Sequence, residues 1–100
     1  MNERRSSPRS SVRILVQHQS HPGEAPEIDY ATDLSRGGLF IATRKPLSAQ
    51  STVHVQFAPA KDARLVQAMC KVTRVTPTGV GAEFISLDAD AAQLLEAALG

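Results

Sequence analysis

The chain has a single cysteine, Cys70, among its 100 residues. A disulfide within the chain is therefore excluded, and a reducing compartment fits that usage. Aromatic side chains are equally scarce: Tyr30, Phe40, Phe57 and Phe84 are the full set. An exposed stacking platform for single-stranded nucleic acid needs more of them together, so neither DNA nor RNA is an expected partner. No apolar run approaches the roughly 20 residues of a membrane-crossing helix, and no membrane insertion is expected. No charged-then-apolar leader opens the chain, so no secretion signal is read and a cytoplasmic domain is expected. A large excess of one charge is also missing, since the formal net charge is +1. Neither a G-x-x-x-x-G-K-[ST] loop nor a G-x-G-x-x-G stretch occurs, which leaves out the common phosphate-cradling motifs.

Catalytic and metal chemistry find little to work with. His18 and His21 flank a Pro/Gly loop with no clustered third ligand, so no metal site and no cofactor is expected. His54 falls on the polar face of its segment, where solvation is ordinary. Cys70 falls on an apolar face, where a buried and inert thiol is the usual outcome. The serines lack a convincing His/Asp partner pattern, and an enzyme is the least expected class.

The sequence does contain a pattern of short strands. "VRILVQH" alternates Val12, Ile14 and Val16 with Arg13, Leu15 and Gln17, the period of a half-buried strand. "EIDYATD" and "LFIAT" read as the second and third strands, separated by "DLSRGG". "STVHVQF" sets Val53, Val55 and Phe57 on one face, and "RLVQAMCKVTRV" does the same with Val66, Ala68, Cys70 and Val72. The phase slips near Thr73–Val75, where a bulge or bend is expected. "TPTG" has the Pro and Gly placement of a tight turn, so the fifth strand and "VGAEFI" should form a hairpin. The ending, "SLDADAAQLLEAALG", puts Leu87, Ala91, Leu94, Leu95, Ala98 and Leu99 on one helical stripe, with Ser86 or Asp88 able to cap it. Open strand edges invite aggregation, so six antiparallel strands should close. The expected fold is a small six-stranded antiparallel β-barrel with one C-terminal helix, in a single domain. Its parts are a flexible basic arm (1–11), the barrel (12–86) and the helix (87–100).

The near-neutral charge hides an asymmetry. In the first 13 residues Arg4, Arg5, Arg9 and Arg13 stand against Glu3 alone, while the rest of the chain is slightly acidic. The local excess suits a small anion better than a long polyanion. Arg5 and Arg9 lie four apart in "RSSPR", and Pro8 biases Ser7 away from helix. A guanidinium fork donates two parallel hydrogen bonds to phosphate or to the guanine edge. A solvated basic terminus would have the same composition. The second segment is Asp33-Leu34-Ser35-Arg36-Gly37-Gly38. Its carboxylate and hydroxyl can accept from guanine N–H donors, and its glycines allow close approach to the backbone. An ordinary turn uses the same residues.

Taken together, R-x-x-x-R ahead of the first strand and D-x-S-x-x-G between the second and third resemble the PilZ family, receptors for cyclic diguanylate. "GVGAEF" after the Thr-Pro turn and the terminal helix extend the likeness over nearly the whole chain. The resemblance implies that Arg5 and Arg9 grip guanine and phosphate. It also implies that Asp33 and Ser35 hold the guanine edge and that Gly38 is the motif glycine. Arg4 occupies the position linked in the family to one bound ligand or an intercalated pair. The expected function is a receptor or adaptor that binds cyclic diguanylate, orders its arm and signals to an effector protein, as a monomer or weak dimer with no fused output domain. The alternative is an adaptor of the same fold, in pilus or motility machinery, that binds no nucleotide.

Overall fold

Alternation of apolar and polar residues sets the strands. Val53, Val55 and Phe57 are buried while His54 and Gln56 between them reach the outside, and Val66, Ala68, Cys70 and Val72 repeat the pattern. The computed structural model describes residues 10–59, 64–88 and 90–99. In chain order these form β1 (Ser10–Gln19), β2 (Glu27–Leu34), β3 (Gly38–Ala42), β4 (Thr52–Phe57), β5 (Val66–Thr76), β6 (Gly79–Leu87) and α1 (Ala91–Leu99). The strands close antiparallel in the order β1-β2-β3-β6-β5-β4, the barrel expected from the sequence. Closure gives every strand two hydrogen-bonded neighbours, where an open sheet would leave two bare edges.

The inward residues form one core. Phe57, Leu34, Ile41 and Leu95 are its largest fully buried apolar members. Phe57 also stacks on Phe84 with ring centroids 6.2 Å apart and planes 9° from parallel. Full burial contributes roughly 1.5–3 kcal/mol for each such side chain. His18 follows Val16 on the inward face of β1 and is 1 % exposed. Its Nε2 lies 2.8 Å from Asp29 Oδ2, a partner on β2 that adjacency in sequence did not reveal. Burial of Cys70 pushes its thiol pKa up to about 12, the inert state expected of it.

The β5–β6 hairpin forms as read. Thr76 pairs with Gly79 around Pro77 and Thr78. The Thr76 hydroxyl accepts from the Thr78 N–H at 3.3 Å and donates to the Gly79 carbonyl at 3.0 Å.

The barrel and helix meet later than expected. β6 runs through Leu87, which pairs with Ala68, and the helix begins at Ala91 instead of residue 87. Asp88 prolongs the ladder: its N–H donates to the Gln67 carbonyl, and its carboxylate accepts from the Gln67 N–H, each at 3.3 Å. That engagement with β5 replaces the expected side-chain cap. Only the Asp88 carbonyl serves the helix, accepting from the Ala91 N–H at 3.1 Å. α1 then buries Ala91 and Leu95 in the core, with Leu94 and Leu99 partly covered.

Candidate functional site

β-Bulges in β2 and β5 shape the outer surface where β2, β3, β6 and β5 run side by side. In an undisturbed strand, burial of Ala31 would turn Asp33 into the core as well. Instead Ala31 and Leu34 are both buried, with two residues between them. The register shifts between Ala31 and Asp33 against β3, and between Ser11 and Ile14 against β1. A bulge adds a residue and re-aims the side chains beyond it. Here it keeps Asp33 out of the core and brings Leu34 in. On β5 the register shifts between Val72 and Arg74, so Val72 is buried while Arg74 is exposed.

The re-aimed residues fall on one line. Asp33 pairs with Phe40, Phe40 with Gly81, and Gly81 with Arg74, a row across four strands. At ~4.8 Å per strand, its ends are roughly 14 Å apart. The row crosses a concavity of about 470 Å³ that Ser35, Gly38, Thr73 and Glu83 also line. A Cβ at Gly81 would meet Arg74 Cβ at 3.6 Å and Nε at 3.9 Å, so the arginine side chain lies along a floor that glycine leaves open. The arrangement has a carboxylate at one end, a guanidinium at the other, and an aromatic ring and bare backbone between them. It can receive a flat, polar-edged group with negative charge beside it.

The bend holds its shape through its own polar groups. The Ser35 N–H donates to the Gly38 carbonyl at 2.9 Å, and the Ser35 hydroxyl accepts from the Gly37 N–H at 3.2 Å. The Gly37 carbonyl accepts from the Phe84 N–H at 2.8 Å, fixing the bend to β6. Gly38 proves to be a packing residue. A Cβ there would lie 2.1 Å from the Ala82 carbonyl oxygen, so only glycine allows β3 to close against β6. Arg36 points away from the concavity toward α1. Its Nε lies 2.6 Å from Glu96 Oε2, and its Nη2 donates to Glu96 Oε1 at 2.9 Å.

Of the residues singled out in the sequence, Asp33, Ser35 and Gly38 come together here. Arg4, Arg5 and Arg9 lie outside the described residues. Their attachment point is defined all the same: Ser10 pairs with Leu34 and Ser11 with Asp33. The leader therefore joins the barrel directly opposite the bend. Phe40, Arg74 and Gly81 are additions made by the structure. The phase slip at Thr73–Val75 was the one sequence sign of Arg74, and it marked a bulge without showing what the bulge aims at. No group of three or more His, Cys, Asp or Glu residues close enough to hold a metal occurs among the described residues.

The described residues form a small closed barrel with a polar bend on its outer face, beside the point where β1 begins. The PilZ domain model matches residues 3–100, and the chain belongs to the PilZ domain family, whose members are cyclic diguanylate receptors and adaptors. Among solved structures, the Bacillus subtilis inhibitor of motility MotI/DgrA superposes with a TM-score of 0.77 at 18 % identity, over 97 % of this chain and 50 % of that one. At that identity the likeness is one of fold, and this chain spans half the length of its neighbour. No curated protein matches the sequence. Among the described residues no helix is long and apolar enough to cross a membrane.

Proposed function

We propose that the protein is a receptor for cyclic diguanylate that passes its occupancy to a partner protein. One observation carries the reading: Ser10, which follows Arg9 in the chain, pairs with Leu34, the residue between Asp33 and Ser35. Guanine offers N1–H and N2–H donors to a carboxylate, and O6 and N7 acceptors to a guanidinium. The phosphates add two negative charges for the remaining arginine donors. In this reading Asp33 takes one guanine edge, and Arg5 and Arg9 take phosphate and the opposite edge. Arg4 assists with a second ligand molecule. Arg74 lies flat along Gly81 against a base or reaches a phosphate.

The arm orders over the dianion as part of binding, because its clustered guanidinium groups repel one another until an anion neutralises them. Some interaction energy then goes into ordering the basic arm. The bound dinucleotide and the closed arm form a surface beside β2 for the partner to recognise. No bond in the ligand is broken.

Isothermal titration calorimetry of the folded chain with cyclic diguanylate tests this. Saturable heat at micromolar ligand is the expected result. A folded sample that gives no heat at high micromolar ligand would reject the receptor role in favour of a nucleotide-independent adaptor.

A further inference from the structure

The outer face of β1 and β2 carries an apolar patch that the nucleotide reading does not use. Leu15 pairs with Tyr30, and Ile28 lies one register step along beside Gln17. These neighbours are 58 %, 40 % and 65 % exposed respectively, while Val16 and Ala31 from the same strands are buried. The Arg13 guanidinium caps one end, 4.3 Å from the Tyr30 ring centroid. Contiguous exposed apolar side chains mark interaction surfaces more than scattered ones do.

The surrounding charge says what fits. β1 (SSVRILVQHQ) and β4 (TVHVQF) contain no acidic residue. Of the carboxylates on β2, Asp29 is engaged by His18, Asp33 lines the candidate site, and Glu27 lines a separate concavity with Lys45. Among the described residues, the patch thus has the Arg13 guanidinium stacked on it and the neutral amides Gln17 and Gln56 beside it. A second copy of this chain would set cation against cation with no carboxylate between them. Among the described residues, the one guanidinium stacked on the patch is also far short of the basic cluster that an anionic bilayer requires.

We infer that the Leu15–Tyr30–Ile28 face docks an aliphatic surface of a partner protein that brings a carboxylate to Arg13. The aromatic ring holds one face of the guanidinium, which leaves its N–H edge pre-aimed at the incoming acid. Leu15 and Ile28 supply the apolar area. This surface stands on its own geometry and does not depend on nucleotide binding.

The test titrates the isotope-labelled full chain, without nucleotide, with a synthetic helical peptide whose leucine face is ringed by glutamates, and with its glutamate-to-lysine counterpart. The glutamate peptide is expected to shift the amides of residues 13–17 and 28–30, while the lysine peptide leaves them unmoved. Leu15→Glu should weaken the glutamate peptide about tenfold or more while keeping a dispersed, folded spectrum. Four results would each overturn the inference. These are equal response to both peptides, absence of shifts, shifts centred on residues 1–9 or on the bend, and dimerisation or binding to anionic phospholipid vesicles that Leu15→Glu abolishes. Because no nucleotide is present, none of them bears on the calorimetric result for cyclic diguanylate.

Discussion

Asp33 and Arg74 stand at opposite ends of one cross-strand row, although forty-one positions separate them in the chain. Each is turned outward by a bulge in its own strand. A neutral floor between opposite charges orients a base whose edges differ, and this gives the first expectation. Arg74→Ala should weaken cyclic diguanylate about tenfold, equivalent to ~1.4 kcal/mol. Arg74→Lys should recover only part of that, because an ammonium keeps the charge but loses the planar fork. Calorimetry measures both, and equal affinity in all three proteins would remove Arg74 from the site.

Two glycines of the same region should behave oppositely. Gly38→Ala forces a Cβ to within 2.1 Å of a backbone oxygen, so β3 and β6 must part. Overpacking of this kind costs about 1–3 kcal/mol, and thermal unfolding should shift downward with or without ligand. Gly81→Val fills open space beside Arg74 and should leave the melting temperature nearly unchanged. It should still weaken the ligand by covering the floor. A stable Gly38→Ala variant would contradict the packing role given to that glycine.

Position along the leader should matter more than charge alone. Arg9→Ala is expected to reduce ligand affinity far more than Arg13→Ala, since the Arg13 guanidinium is stacked over Tyr30. Parallel titrations at fixed ionic strength decide this. Equal losses would mean that the basic segment acts only through bulk attraction.

Cys70 should resist alkylation while the barrel is intact. With its pKa near 12, only about one thiol in ten thousand is ionised at pH 8, and the thiolate is the reactive form. Iodoacetamide labelling, followed by mass spectrometry, should be negligible in buffer and complete in denaturant. Rapid native labelling would show that β5 opens readily.

Acid should weaken the loop between β1 and β2. Lys45 Nζ donates to Glu24 Oε2 at 3.2 Å, and that hydrogen bond is the largest influence lowering the Glu24 pKa. A carboxyl held lower in the folded state stabilises it fully above the unfolded pKa. The contribution disappears as pH falls through the folded value. Lys45→Met should therefore cost stability at neutral pH and cost progressively less in acid, as read by urea unfolding across that range. A difference between wild type and variant that stays constant with pH would assign the effect to packing.

Alternation along single strands, with the Thr-Pro turn, was enough to place the strands and the β5–β6 hairpin, because those depend on neighbours within a few positions, where a side-chain period of 2 is set by local backbone geometry. The family was legible in two short motifs, R-x-x-x-R and D-x-S-x-x-G, and in their order along the chain. The tertiary structure alone decided which way Asp33 and Arg74 face, why Gly38 has no side chain, and that Phe40 and Gly81 form a floor. It alone set Ser10 and Ser11 across from Leu34 and Asp33, and His18 beside Asp29. Those facts follow from register between strands distant in the chain. A one-residue bulge reverses the facing of everything beyond it, and only closure of the whole barrel fixes where each bulge falls.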